Sequence, residues 1–435
     1  MSVLALLAGF AAQPAPAETL TLGNDSLAKA RAALQERGLS FSLLYTSDLL
    51  GNVSGGVRRG ARYAGKVNAS VSADLDKLFG WQGLTFYSNV FQIHRTRSMR
   101  DDHFHGLITI SNIEAKPTTR LSEFWLERKF FDDRFSIRFG QLAADEEFFI
   151  SSYSLGLLSN DWPAITGANL PAGGPAYPLA TPGIRFKFEP TPAWSALFGV
   201  FNGNPGEEGT VNRTGTNFRV NDPPLVIGEV QHRYNHAKED QGLARTIRLG
   251  AWHHFGKFED QHFDSAGLSL ANPLSSGLAR QFRGTSGIYG VIDQQLYRPK
   301  GGGPDSGIGV FARVFASPAD RSVISLYVDG GFVFTGPFAS RRADKLNAGF
   351  IYARVSEHLR SLDHDSNFFT GIAHPVRNHE LIFELNYQIE MRAGWMLQPL
   401  VQYIVHPGGH ISDPHRPEHA IRNGALIGIR STMTF

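Results

Sequence analysis

The stretch LIFELNYQIEMR, residues 381–392, alternates between apolar and polar side chains with a period of two residues. One face carries Leu381, Phe383, Leu385, Tyr387, Ile389 and Met391, and the other carries Glu384, Asn386, Gln388, Glu390 and Arg392. This period is typical of a β-strand with one face in apolar and the other in polar surroundings. A half-buried strand of a soluble sandwich has the same pattern, so the rest of the chain decides the fold.

The same alternation returns along the whole chain. Turn signals separate about sixteen segments, an even number, with lengths near the roughly 9–11 residues of a tilted membrane-spanning strand. The predicted strands cover residues 39–48, 61–76, 82–94, 119–130, 134–142, 182–189, 193–203, 224–234, 245–256, 286–297, 307–317, 321–333, 345–357, 380–391, 394–405 and 423–435. We therefore predict an all-β fold, a transmembrane β-barrel of about 16 antiparallel strands, with lipid outside and an aqueous lumen rather than a packed core.

The connections between these segments fall into two sets. Residues 132–133, 190–192 and 393–394 are tight turns between strands. Long connections fall on the opposite side, at residues 95–118, 143–181, 204–223, 257–285, 358–379 and 406–422. Short turns at one end and long loops at the other are typical of an outer-membrane barrel with its turns in the periplasm.

Composition excludes several other classes of protein. The chain has 435 residues, of which 42% are hydrophobic and 19% charged, and no segment after the first dozen residues approaches the roughly 20 apolar residues of a spanning helix. The 46 glycines and 32 phenylalanines fit many short strands, and the lack of cysteine excludes disulfides and thiolate metal sites. With 42 Lys and Arg against 40 Asp and Glu, the chain has no electrostatic reason to bind nucleic acid.

The two ends of the chain suggest export. Residues 1–17 have a short apolar run and small residues before Glu18, which predicts a cleaved signal peptide. Residues 18–38 contain good helix formers before Gly38, which predicts a short periplasmic helix, and residues 39–435 form the barrel. The last strand ends on Phe435, which looks like the recognition signal of outer-membrane barrels.

The third loop, residues 142–182, is the candidate for a constriction. It is too long for an ordinary connection and too apolar and aromatic for a disordered one, so we expect it to fold into the lumen, although folding over the outer rim would also bury it. Inside the lumen it would offer acceptors and flat apolar surfaces to a solute. The acceptors are Asp145, Glu146, Glu147 and Asp161, and the flat surfaces are Trp162 and Tyr177.

Two stretches of this loop resemble a known family. The sequences GQLAADEEF at residues 140–148 and LPAGGPAYPLATPG at residues 170–183 are similar to the third-loop region of the OprB-type carbohydrate-selective porin family. YGVIDQ at 289–294, SPADR at 317–321 and QYIVHPGG at 402–409 resemble that family's further marks in the same order. Asn160-Asp161 and Ser322 depart from the family's usual residues. The resemblance implies an outer-membrane porin with sixteen strands that admits monosaccharides such as glucose, without a cofactor and without enzymatic chemistry.

The inward faces of the strands supply further candidate residues for the pore lining. A sugar presents hydroxyl groups at its rim and C–H surface on its faces, so a selective pore needs charged partners beside aromatic rings. By alternation these charged residues point inward: Arg185, Lys187, Glu123, Glu127, Arg134, Arg138, Arg248, Glu384 and Arg392. Binding has to stay weak, because tight binding would block conduction.

Other functions and partners stay open at this stage. A barrel enzyme would need a Ser or Asp beside a His on its lipid-facing rim, and no short motif shows one. A structural or export barrel would conduct ions without saturating with glucose. His406, His410, His415 and His419 are expected in a solvated loop rather than in a metal site. The expected partners are small sugars, outer-membrane lipid and lipopolysaccharide, and the pore is a monomer or a homotrimer.

Overall fold

The structure is a computed structural model, and it describes residues 25–159, 163–237, 240, 242–303 and 305–435. None of the helices in that part of the chain is long and apolar enough to cross a membrane. The predicted signal peptide, residues 1–17, lies outside the described residues, as do Asp161 and Trp162.

Sixteen antiparallel strands close into one barrel, as the alternation predicts. The strands are β1 Leu39–Ser54, β2 Gly60–Asp74, β3 Leu84–Arg95, β4 Thr118–Phe130, β5 Phe135–Leu142, β6 Thr181–Thr191, β7 Trp194–Asn202, β8 Pro224–Tyr234, β9 Arg245–Asp264, β10 Ala279–Tyr297, β11 Gly307–Ala316, β12 Ile324–Thr335, β13 Lys345–Val355, β14 His379–Arg392, β15 Trp395–Val405, β16 Ser412–Asp413, β17 Arg416–Ala420 and β18 Gly424–Thr434. Strands β16 and β17 form a separate small hairpin. Strand β18 pairs with β15 and β1 and thereby closes the cylinder.

The two faces of the strands differ as the sequence predicts. On β14, the outward side chains of Phe383 and Leu385 are about half exposed, whereas Ile382 and Glu384 are buried inside the barrel. The outer surface of the other strands carries similar exposed side chains, such as Phe198. An outward apolar band of this kind belongs in lipid.

The connections also separate into two ends of the barrel. One end, the turn rim, carries the tight turns between β4 and β5, β6 and β7, and β14 and β15. The other end, the loop rim, carries the second loop (residues 96–117), the third loop (143–180) and the fourth loop (203–223). The third loop follows β5 and is the one predicted to fold inward.

The helices are short and lie in the connections. They are α1 Asp25–Glu36, α2 Leu75–Phe79, α3 Ala164–Asn169, α4 Glu357–Thr370 and α5 Pro407–His410. Helix α1 precedes β1 as expected, and Arg31 ties it to the turn rim by donating to the backbone oxygens of Phe41 and Phe435. Helix α4 lies where the sequence analysis expects a loop. Ser356 caps its first turn, and Gly371 ends the helix with a φ of 67°. These two residue types are typical of helix ends, so the sequence could have predicted this helix.

Strands β9 and β10 are longer than predicted. The expected strands stop at residue 256 and begin again at residue 286, but the ladder continues outward to Asp264 and Ala279. Gly284, which suggests a turn in the sequence, lies where the register between the two strands shifts. A glycine in a strand marks such an irregularity without ending the pairing.

Candidate functional site

The third loop lies inside the barrel rather than over its rim. It leaves β5, and its backbone N–H groups reach inward-facing carboxylates on distant strands. Phe149 N–H donates to Glu229 on β8 at 3.2 Å, and Leu158 N–H donates to Glu384 on β14 at 2.9 Å. The loop therefore crosses the lumen and narrows it.

One side of the lumen is a packed apolar core. Phe148, Phe149, Leu158 and Ile165 of the third loop are almost completely buried, and they belong to one cluster with inward side chains of the wall. The expectation of an aqueous lumen without a core is therefore wrong for this side. The physical reason is that several inward positions of the strands are apolar and need a partner surface, which the loop supplies.

Two wall glycines accept side chains of the loop. A Cβ atom at Gly309 on β11 would lie 2.4 Å from the Tyr153 ring, and one at Gly349 on β13 would lie 2.4 Å from Leu157. Real Cβ atoms do not approach so closely, so larger residues at these positions would displace the loop. The glycines fix where the third loop meets the wall.

Buried carboxylates of the wall hold the loop by its backbone. Besides Glu229 and Glu384, Asp293 on β10 accepts from Ser152 N–H at 3.0 Å and from Arg248 at 3.0 Å. Arg313 on β11 donates to the Phe149 carbonyl at 3.0 Å. Arg248 and Glu384, which the alternation places in the lumen, are inward but buried in these anchoring contacts.

The second loop also folds inward, which the sequence analysis missed. Glu380 on β14 accepts from the N–H groups of Leu107 and Ile108, both at 2.9 Å, and Ser111 donates to Asp48 on β1. Asn112 N–H donates to the Leu158 carbonyl at 2.7 Å, so the second and third loops support each other. The isoleucines at positions 108, 110 and 113 make this segment too apolar for an exposed loop, and they could have predicted that it is buried.

Four alternating charges form a closed group on the inner face of β4, β5 and β6, in which Arg185 and Glu147 are buried and Glu127 and Arg138 keep a small exposed fraction. Glu127 on β4 lies 3.0 Å from Arg138 on β5 and 2.8 Å from Arg185 on β6. Glu147 of the third loop lies 2.6 Å from Arg138 and 2.7 Å from Arg185. We call these four residues the charge quartet. Two positive and two negative groups cancel, so the quartet offers hydrogen-bonding groups without a net charge.

Two aromatic rings continue from the quartet along the wall. The guanidinium of Arg138 lies 3.8 Å from the ring centroid of Trp125, and Tyr87 stacks on Trp125 at 5.0 Å. Both rings come from strands, β3 and β4, whose alternation places them inward, although the sequence analysis looked for rings only in the third loop. Tyr87 is partly exposed and can present a flat surface and a hydroxyl group to a solute.

Comparison with known proteins identifies the family. A sequence profile described as "Carbohydrate-selective porin, OprB family" matches residues 58–435, which is most of the chain. The chain belongs to this family. It is 24% identical to Porin B of Pseudomonas aeruginosa over 401 residues, which cover 87% of this chain and 85% of the relative. It is 21% identical to "Putative porin QuiX" of Acinetobacter baylyi over 402 residues, with 87% of each covered.

A solved structure supports the fold of this OprB-family porin. OprB of Pseudomonas putida, in its high-pH structure, superposes with a TM-score of 0.83 and 22% identity and covers 96% of this chain and 99% of that one. Family and barrel place the protein in the bacterial outer membrane and indicate a channel rather than an enzyme.

Four more of the predicted lining residues lie near the charge quartet or between it and the turn rim. Glu123 accepts from Ala143 N–H at 3.2 Å, and Asp145 accepts from Tyr177 N–H at 2.9 Å. Glu146 is exposed to the lumen. Lys187 lies nearer the turn rim and pairs with Glu189 at 2.9 Å.

Two further predicted pore-lining residues are Arg392 and Tyr177. Arg392 does not join the lumen lining, because the register shifts between Glu390 and Arg392 and pairs Arg392 with Trp395, on the outward side of β15. Its guanidinium lies 5.6 Å from the Trp395 ring centroid. The Tyr177 ring lies against Phe91 at 5.5 Å.

Replacing Glu384 by Gln is expected to loosen the third loop. Its carboxylate receives four donors, from Leu158, Ser159, Asn386 and Gln402. An amide would turn one acceptor into a donor that faces other donors, and each lost bond to a charged group costs about 1.5–3 kcal/mol. We expect noisier single-channel current and a lower urea midpoint of unfolding.

The matched control for this change is Glu390→Gln on the same strand, where the residue lies at the turn rim. It should leave current noise and the unfolding midpoint close to those of the unchanged porin. Equal behaviour of the two variants would show that Glu384 does not anchor the loop.

Proposed function

We propose that this porin is a passive diffusion channel for neutral monosaccharides such as glucose. The main support is the charge quartet beside Tyr87 and Trp125, where guanidinium and carboxylate groups adjoin aromatic rings. Such groups suit the hydroxyl rim and the C–H faces of a sugar. The cancelled charge removes the electrostatic attraction that a charged pore would exert on ions.

The proposed solute contacts are made by the part of the lumen that the loops leave open. They are Arg138, Lys187 and Glu146 on the charged side, with Tyr87 as the platform, because these side chains keep part of their surface exposed. Arg185, Glu123 and Glu147 are buried beside them and hold the charged groups in position. We assign Arg248 and Glu384 to holding the third loop instead, since the loop covers them. The outer wall would contact membrane lipid, and the loop rim would face lipopolysaccharide, with the turn rim in the periplasm.

The test is the ion current through single channels in a planar lipid bilayer. Glucose should reduce the current in a concentration-dependent and saturating way, because a bound sugar occupies the narrow part of the pore. A charged solute of similar size should block less at the same concentration. Current that is indifferent to every sugar tested would contradict the proposal.

One observation favours an enzyme on the outer wall. His253 on β9 and Ser286 on β10 are outward neighbours, and the His253 Nδ1 atom lies 2.7 Å from the Ser286 hydroxyl. A nucleophile of this kind also needs a third group that orients the histidine. Within the described ranges, no hydrogen bond holds the second ring nitrogen of His253. Lipid hydrolysis by the purified porin, lost in Ser286→Ala, would support this second candidate.

A further inference from the structure

A cavity lies between the second, third and fourth loops at the loop rim. Its volume is about 320 Å³, and its walls come from the second loop between Arg100 and Glu114, from Ser159 and residues 164–179 of the third loop, and from Glu208. This volume lies at the lower end of the roughly 300–1,000 Å³ of small-molecule sites, so it suits a small ligand. We call it the vestibule cavity.

Asn112 lines the vestibule cavity and carries an acceptor without a partner in the described part of the chain. The side-chain oxygen Oδ1 of Asn112 is buried and has no hydrogen-bond partner among the described residues. The backbone of Asn112 is held in place by its bond to the Leu158 carbonyl, so the amide does not depend on a ligand for its position. A buried polar atom without a partner costs free energy, which a ligand hydroxyl group could recover.

The other walls combine hydroxyl groups with small apolar surface. Thr109, Ser111 and Ser159 contribute oxygens, while Ala164 and Ala168 of α3 contribute a flat apolar side. A ligand with hydroxyl groups at its edge and C–H groups on its faces matches both kinds of wall.

The charged residues of the vestibule cavity are already paired. The pairs are Arg100 with Asp101 at 2.8 Å, Glu114 with Arg95 at 3.2 Å, and Glu208 with Arg120 at 3.3 Å. Burial raises the pKa of the Glu114 carboxyl above its ordinary value. No net charge is left to attract an ion, so a neutral ligand fits best.

Arg120 holds Glu208 in position through the ion pair between their side chains. Its side chain is fully buried, and two of its nitrogens, Nε and Nη1, have no hydrogen-bond partner in the part of the chain that the structure describes. Strict alternation from Glu123 and Glu127 would place residue 120 outward. The register between β3 and β4 shifts between Ser88 and Val90, however, so Arg120 is buried as well.

We propose that the vestibule cavity is an entry site that binds one neutral monosaccharide before it reaches the charge quartet. Asn112 Oδ1 accepts a sugar hydroxyl group there, and Glu208, positioned by Arg120, accepts others. This inference rests on the proposed function, because it adds an entry site to the same diffusion path.

The test measures glucose entry into proteoliposomes that contain the full-length porin. Asn112→Ala and Glu208→Ala should each raise the glucose concentration for half-maximal entry by about three- to tenfold, the effect of one lost hydrogen bond. Asn112→Asp keeps the acceptor oxygen and should remain within about threefold of the unchanged porin. Single-channel conductance without sugar should be the same for all variants and shows that they are folded.

The control is Asn221→Ala, an exposed residue of the fourth loop outside the cavity lining, which should change nothing. Saturable entry that is unaffected by both Asn112→Ala and Glu208→Ala would overturn the entry site and leave the proposed function intact. Entry that does not saturate with any monosaccharide in the unchanged porin would overturn both.

Discussion

Replacing residues 155–175 of the third loop by a short glycine and serine linker is expected to raise single-channel conductance several-fold. This segment carries Leu157, Leu158 and Ile165, which fill one side of the lumen. Without it, water replaces the packed core, and the cross-section that limits ion flow increases. Among the residues of this segment that the structure describes, none takes part in the ladder pairs of the barrel, so the sixteen strands should still close.

The control is a similar shortening of residues 266–277, at the tip of the β9–β10 hairpin. That tip lies at the outer end of the two longest strands, β9 and β10, so its loss should leave conductance unchanged. Circular dichroism and resistance to denaturation in detergent would verify that both variants form barrels. Unchanged conductance after removal of residues 155–175 would mean that this segment does not set the width of the pore.

Glu147→Gln is expected to make the channel anion-selective. The change removes one of two negative charges from the charge quartet, while Glu127 still holds Arg138 and Arg185 at 3.0 and 2.8 Å. The quartet then carries one excess positive charge on the inner wall of the barrel, and fixed charges along a pore determine its ion selectivity. The reversal potential under a salt gradient should shift toward that of chloride, which corresponds to a several-fold rise in the ratio of chloride to cation permeability.

The reversal potential should be measured at low ionic strength, because salt screens the charge of the quartet. The screening length is about 10 Å at 0.1 M salt and grows on dilution. The double variant Glu147→Gln with Arg185→Gln restores neutrality and should return the reversal potential toward that of the unchanged channel. A reversal potential that Glu147→Gln does not move in dilute salt would show that the quartet lies away from the ion path.

Several features of the site could not be predicted from the sequence because they depend on strand register. Arg120 and Arg392 both lie beside register shifts, which turn Arg120 inward and Arg392 outward against the local alternation. Glu384 was correctly predicted to point inward, but whether it meets solute or loop depends on Leu158, which lies 226 residues away in the chain. A local pattern carries no information about such a distant partner.

The alternation and the turn signals are enough to give the number and order of the barrel strands and the apolar outer surface, and they predict an inward third loop while leaving the outer rim open as an alternative. These follow from a period of two residues and from the apolar content of one long connection, which are local properties. Only the tertiary structure decided which inward charges stay open to the lumen. The loops bury Glu229, Asp293 and Glu384 as anchors, because a buried backbone N–H group needs an acceptor and these carboxylates are within reach.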